Sequence, residues 1–221
     1  MKLTGAQAFI SFLLAQQAEL LNEDRAPLLT GVLDFPGRYT VANFGDALEY
    51  FKTTLPPYVA STFRGAVAQA LSLTWTARNR QFPLLLVSQE EEGEIVSAYS
   101  LAKKNGINLL LLVGTAGEDT SLLPFAHRLS TLSQLATLLP KIVSQLTTPT
   151  TYGPIVIEFP EYLQAQECFF PSSFYGPKLW AFPHLPADSR EVKEAGELLL
   201  KAKFPLGIVG GGVYFGGAEE E

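Results

Sequence analysis

Apolar and polar positions along the chain follow two different periods. Three short runs are apolar almost without a break: FPLLLVS at 82–88, INLLLLVG at 107–114 and GPIVIEFP at 153–160. Runs of this length, bounded by proline and glycine, read as strands buried on both faces. Residues 28–34 form a less pure extended stretch, and PPYVAS a shorter one. Between them the spacing turns helical. Residues 5–21 place Ala8, Phe9, Phe12, Leu13 and Gln16 on one side, with Thr4 as N-cap. Further helices are predicted over 44–51, 63–78, 90–105 (stopped by Gly106) and 131–146, the last kinked at Pro140. Doubly buried strands alternating with helices predict an α/β fold, a parallel sheet flanked by helices on both faces.

This first domain is expected over residues 1–160. Residues 161–187 are rich in proline and aromatics and read as an extended linker. Residues 188–221 open a second α/β domain: a helix over SREVKEAGELLLKAKFP, capped by Asp188 or Ser189 with Glu191 in its first turn, then a strand at LGIVGGG.

Composition narrows the function classes. The net charge is −6, with 16 basic residues and no basic stripe, so a nucleic-acid partner is not expected. No apolar run is long enough to span a membrane. The N-terminus, despite one lysine and an apolar stretch, reads as a helix rather than a signal peptide. A single cysteine, Cys168, forms no internal disulfide, and a reduced cytoplasm fits.

The candidate chemistry is sparse. Counting Gly-x-Gly-x-x-Gly from Gly210, the third glycine falls on Phe215, so the dinucleotide fingerprint misses by one and the glycines read as a strand-to-helix turn. His127 and His184 are far apart and do not suggest a metal site. Ser88, Ser97 and Ser100 lack the Gly-x-Ser-x-Gly elbow of hydrolases. Glu90, Glu91, Glu92 and Glu94 crowd one helix start, where the dipole favours acids; a metal or partner site is the sharper reading, but adjacent carboxylates splay apart. Phe169, Phe170, Phe174, Tyr175, Trp180 and Phe182 in the linker are expected to staple it to a domain or a partner.

Four stretches carry a resemblance: MKLTGAQAFISFLLAQQ, GVLDFPGRYTVANFGDALE, HRLSTLSQLATLLPKIVSQLTTPTTYGPIVIEFPEYLQAQ and AGELLLKAKFPLGIVGGGV. Together they resemble the N-terminal, pyrimidine-binding part of thiamine-diphosphate-dependent enzymes of the acetolactate synthase type, with the trihydroxycyclohexanedione hydrolases of inositol breakdown most similar. The resemblance implies three α/β domains in the full enzyme: one for the aminopyrimidine ring, a structural middle domain, and one gripping the diphosphate through a divalent metal. This chain corresponds to the first, the linker and the opening helix and strand of the second.

In that family a glutamate at the start of the long helix hydrogen-bonds the pyrimidine and favours its imino tautomer. Aligned through Tyr58 and GAVAQALSL, its position falls on Phe63, flanked by Thr62 and Arg64. The family's Gly-Pro-Gly turn falls near Gln89 and Glu91. The resemblance thus implies no catalytic residue and no metal ligand in this chain, with cofactor contacts at Pro36, Gly37, Phe63 and Gln89. Thiamine diphosphate would bind only with a partner chain supplying the diphosphate and magnesium site. The implied function is a degenerate module, a pseudo-enzyme or partner subunit, in a homo-oligomer or paired with a separately encoded remainder. The alternative is a subunit of a split carbon–carbon bond hydrolase or lyase, acting on an inositol-derived cyclic diketone or in the acetolactate synthase manner.

Overall fold

The computed structural model describes residues 2–21, 24–34, 39–51, 57–117, 123–183 and 186–218. They fall into two compact units, Met1–Phe182 and Pro183–Glu221.

In chain order the first unit holds β1 (Lys2–Thr4), α1 (Gly5–Leu14), β2 (Gln16–Glu19), β3 (Arg25–Pro27), β4 (Leu29–Asp34), α2 (Ala42–Tyr50), β5 (Pro57–Val59), α3 (Phe63–Thr76) and β6 (Phe82–Ser88). There follow α4 (Glu92–Asn105), β7 (Leu109–Thr115), β8 (His127–Arg128), α5 (Leu135–Leu146), β9 (Pro154–Pro160), α6 (Glu161–Ala165), β10 (Glu167–Phe169) and β11 (Lys178–Trp180). The main sheet runs β5-β4-β6-β7-β9-β8, and every pair in it is parallel.

Every residue of β6 and β7 is buried. Alternation within these strands divides the core in two. Leu84, Leu86, Leu110, Leu112, Ile155 and Ile157 join α1, α2 and α5 on one face. Leu85, Val87, Leu111, Val113 and Val156 join α3 and α4 on the other. On the first face Phe9, Phe44 and Phe159 meet edge to face, with centroids 5.4–6.1 Å apart. The expected fold class is therefore the one found.

The helices end where local chemistry dictates, with one exception. Thr4 and Gln7 form a capping box at the start of α1. Gly106, at φ 61°, ends α4 in the left-handed region. The helix over 131–146 begins as a 3-10 turn at Leu132–Gln134 and then runs through Pro140 as α5. The exception is α1, which stops at Leu14 instead of reaching residue 21. Residues 16–19 are β2, which pairs in parallel with β11 and antiparallel with β3. Gln16 fixes the switch: its buried Nε2 donates to Phe12 O at 2.8 Å, and its Oε1 accepts from Trp180 Nε1 at 2.9 Å.

The aromatic segment after residue 160 is packed on the first unit. β10 pairs with β1, and Lys2 and Glu167 form an ion pair across that ladder. Phe170, Phe174, Trp180 and Phe182 are buried in or beside the first-face core. The linker read from composition thus behaves as a strap as far as Phe182.

The N-terminal end of the sheet is tied by asparagines. Asn79 follows α3 at φ 60°, and its Oδ1 accepts from Asn108 N at 2.9 Å. Asn108 in turn donates from Nδ2 to Leu146 O at 2.7 Å.

The second unit contains α7 (Ser189–Lys201) and α8 (Gly211–Gly216). Asp188 caps α7, accepting from Arg190 N at 2.8 Å. The strand expected at LGIVGGG is not formed. Among the described residues, 206–210 join no ladder, and Gly211 already starts α8. A strand exists only when a neighbour accepts its hydrogen bonds, and among the described residues this unit holds no other strand.

Gly114 offers a direct test of how the sheet is closed at its C-terminal edge. A Cβ there would lie 2.0 Å from Thr40 O and 2.6 Å from Val41 Cγ1. Gly114→Ala is expected to lower the unfolding free energy by about 1–3 kcal/mol. Gly117→Ala, where a Cβ would meet nothing within 4 Å, serves as the control. Urea denaturation followed by circular dichroism compares the two.

Candidate functional site

In a parallel sheet the loops that bind ligands gather at the C-terminal ends of the strands. Here that edge carries the segment after β4, the start of α3 after β5, the turn after β6 and the end of β7. The 3-10 turn Tyr39–Val41 lies at its centre, pinned by Thr40. Thr40 Oγ1 lies 2.7 Å from Ser88 Oγ and donates to Gly114 O at 2.8 Å. Gln164 Nε2 donates to Thr40 O and to Phe159 O, both at 2.8 Å. Four segments distant in sequence are thereby locked together. Among the described residues, Thr115 Oγ1 and Gln164 Oε1 are buried there without a hydrogen-bond partner.

Of the expected cofactor contacts, Pro36 and Gly37 lie outside the described residues. Gln89 is half-buried, and its Oε1 accepts from Ala116 N at 2.9 Å, joining the ends of β6 and β7. Its carbonyl thus serves as a structural clasp. Phe63 is the first residue of α3, behind the N-cap Thr62, whose Oγ1 accepts from Gly65 N at 3.1 Å. Phe63 is only 4% exposed and belongs to the second-face core with Leu33, Ala66, Val67 and Val87. The first turn of α3 contains no acid.

Phe63 also lines a groove of about 340 Å³ between α3 and α4, with Val67, Leu71, Ala98 and Leu101. Glu94 stands on the opposite wall, paired with Arg64 at 3.1 Å. The structure therefore brings one carboxylate of the acidic run into the groove that holds Phe63. Glu90 and Glu92 are exposed at the start of α4. Among the described residues no cluster of three or more His, Cys, Asp or Glu could hold a metal ion.

The other residues singled out from sequence fall as follows. Ser88 is buried against Thr40, while Ser97 and Ser100 bond back to Gly93 O and Val96 O of their own helix. His127 is half-buried on β8, and burial, with Lys141 second, holds its pKa below the ordinary value. His184 lies outside the described residues. Burial pushes the Cys168 thiol up, and its Sγ donates to Leu3 O.

Two features escaped the sequence reading. The Thr40–Ser88–Gly114–Gln164 lock has no spacing signal, although Gly114 at the end of an apolar run could have marked a close approach. Glu158 sits inside the apolar run GPIVIEFP. It is fully buried, accepts from Leu123 N at 2.9 Å and faces Arg128 Nη1 at 3.4 Å. A charge amid Ile157 and Phe159 was the visible clue that a buried partner existed.

No family model matches the chain. Relatives named 3D-(3,5/4)-trihydroxycyclohexane-1,2-dione hydrolase are 25% identical in Clostridium tetani, over 99% of this chain, and 26% identical in Listeria monocytogenes, over all of it. The Bacillus subtilis protein of that name is 24% identical over 100% of the chain. The chain spans 38% of the length of these relatives. A 2-oxoglutarate:ferredoxin oxidoreductase from Magnetococcus marinus superposes with a TM-score of 0.55 at 10% identity, covering 76% of this chain and 30% of its own. The superposition supports the fold, and the resemblance read from the quoted stretches is carried by named relatives along the whole chain.

The packing of Phe63 makes a stability prediction independent of any ligand. Phe63→Ala removes a buried ring from the second-face core and is expected to cost about 3–5 kcal/mol, read by chemical denaturation. A loss below about 1 kcal/mol would show that the ring is not part of the core.

Proposed function

We propose that this chain is a degenerate thiamine-diphosphate-enzyme module that does not activate the cofactor and acts through association, as a partner subunit or pseudo-enzyme. The observation that carries this reading is Phe63. It stands where the related enzymes are expected to place a glutamate, and its side chain is buried in the core. A phenyl ring neither donates nor accepts a proton, so it cannot hold the pyrimidine in its imino form. The residues present at this helix start therefore do not fit the activating role, and no chemical step is assigned to the cofactor here. The chain matches 38% of the length of the related enzymes.

A second reading rests on Glu94. Its carboxylate lines the same groove as Phe63 from the neighbouring helix. In a split enzyme of the hydrolase or lyase class, that acid would replace the missing one, with a partner chain supplying the diphosphate and metal site.

Calorimetry with thiamine diphosphate and magnesium separates the two, run on the chain alone and mixed with the product of the reading frame directly downstream. The module reading expects a complex by light scattering and no cofactor heat that depends on Glu94. Saturable cofactor binding by the mixture, lost in Glu94→Gln, would establish the split enzyme instead. Binding by the chain alone would overturn the module reading.

A further inference from the structure

A second concavity lies away from the groove of Phe63, between the edge strand β8 and α5. It measures about 550 Å³ and is lined by His127, Arg128, Gln134, Thr137, Leu138 and Lys141, with Ala126 at its base. Its chemistry is one-sided. Lys141 presents three N–H donors and His127 at least one ring N–H, beside the Arg128 guanidinium. Lys141 is also near enough to act, after burial, against protonation of His127.

Gln134 adds a fixed neutral donor. Its Oε1 accepts from Ser130 N at 2.8 Å and from Thr131 N at 3.2 Å. With the oxygen held by the helix start, the amide Nε2 is the other end of the group and carries two hydrogens to donate. The carboxylate that Arg128 faces, Glu158, is fully buried and also accepts from Leu123 N. Arg128 is further anchored by donating from Nη2 to Gly117 O at 3.0 Å. Among the described residues neither His127 nor Lys141 makes an ion pair. A cleft rich in donors and poor in acceptors is set up for an anion and against a metal ion.

The geometry points to an oxyanion-binding site in this cleft, taking the phosphoryl group of a small metabolite, with Lys141, His127 and the Gln134 amide as its donors and Arg128 as a fixed neighbouring charge. A phosphate monoester carries three terminal oxygens and two negative charges, and so uses this many donors better than a single carboxylate does. The volume exceeds that of bare phosphate and falls in the range of small-ligand sites, which leaves room for an organic remainder.

The test titrates the full chain with inorganic phosphate and, separately, with succinate, against sodium chloride at matched ionic strength. Calorimetry reads affinity and thermal unfolding reads stabilisation. Lys141 is exposed, so Lys141→Gln is expected to fold normally, which circular dichroism checks. It should weaken phosphate binding about tenfold, the loss of one charge-assisted contact. His127→Gln should weaken it less, and Lys193→Gln on α7 not at all. The proposal fails if phosphate stabilises no more than chloride, or if the Lys141 and Lys193 variants bind alike. Succinate binding more tightly than phosphate would overturn the phosphoryl assignment.

Discussion

Two adjacent strands, β6 and β7, have no residue exposed to solvent on either side. Such strands cannot sit at the surface of anything, so the sheet must be covered twice. α1, α2 and α5 cover one face, and α3 and α4 the other. Each buried leucine contributes about 1.5–3 kcal/mol relative to exposure, and the central strands supply them in consecutive runs. The remaining architecture follows from that demand. Both helical layers must return the chain to the same end of the sheet, which brings the Tyr39–Val41 turn and the ends of β6 and β7 together at the C-terminal edge. There they pack so closely that Gly114 leaves no space for a side chain beside Thr40.

The same demand explains why most of the fold was legible. FPLLLVS matches β6 residue for residue, and GPIVIEFP differs from β9 by one glycine. A fully apolar run has no competing local reading when proline and glycine bound it. Gly106 was legible because the left-handed turn it makes excludes most other residues. Legibility failed wherever the deciding partner was remote. The stretch after Leu14 continues a helical pattern, and only Trp180, 164 residues away, turns Gln16 into the first residue of a strand. The opposite failure occurred at LGIVGGG, whose composition favours a strand while its unit offers no ladder to join. The aromatic strap was ambiguous for the same reason: composition announced that its rings pack, but not that they do so against α1.

The candidate site divides along similar lines. Alignment of the quoted stretches placed Phe63 at the position of interest, and the structure added that the ring is part of the core. Gln89 stands near the position of the family's glycine-containing turn, and its bond to Ala116 N depends on two strands coming into register. The lock around Thr40 joins residues 48, 74 and 124 positions apart, beyond any local signal. Glu158 lay in plain view within an apolar run, and what was illegible was the identity of its partner.

These observations bear on one energetic question, how an acid is accommodated near the start of a helix against an apolar core. A carboxylate at position 63 would lie among Leu33, Val67 and Val87 and would need a bound partner to offset its desolvation. Phenylalanine removes that cost and adds a ring to the core. The acids of the following strand–helix junction sit instead where solvent and the α4 dipole favour them, each contributing about 0.3–1 kcal/mol when exposed. An apolar residue at the start of α3 and acids at the start of α4 both favour folding stability. Among the described residues Glu94 is the acid that lines the groove, and its pairing with Arg64 gives it a structural use there that needs no ligand.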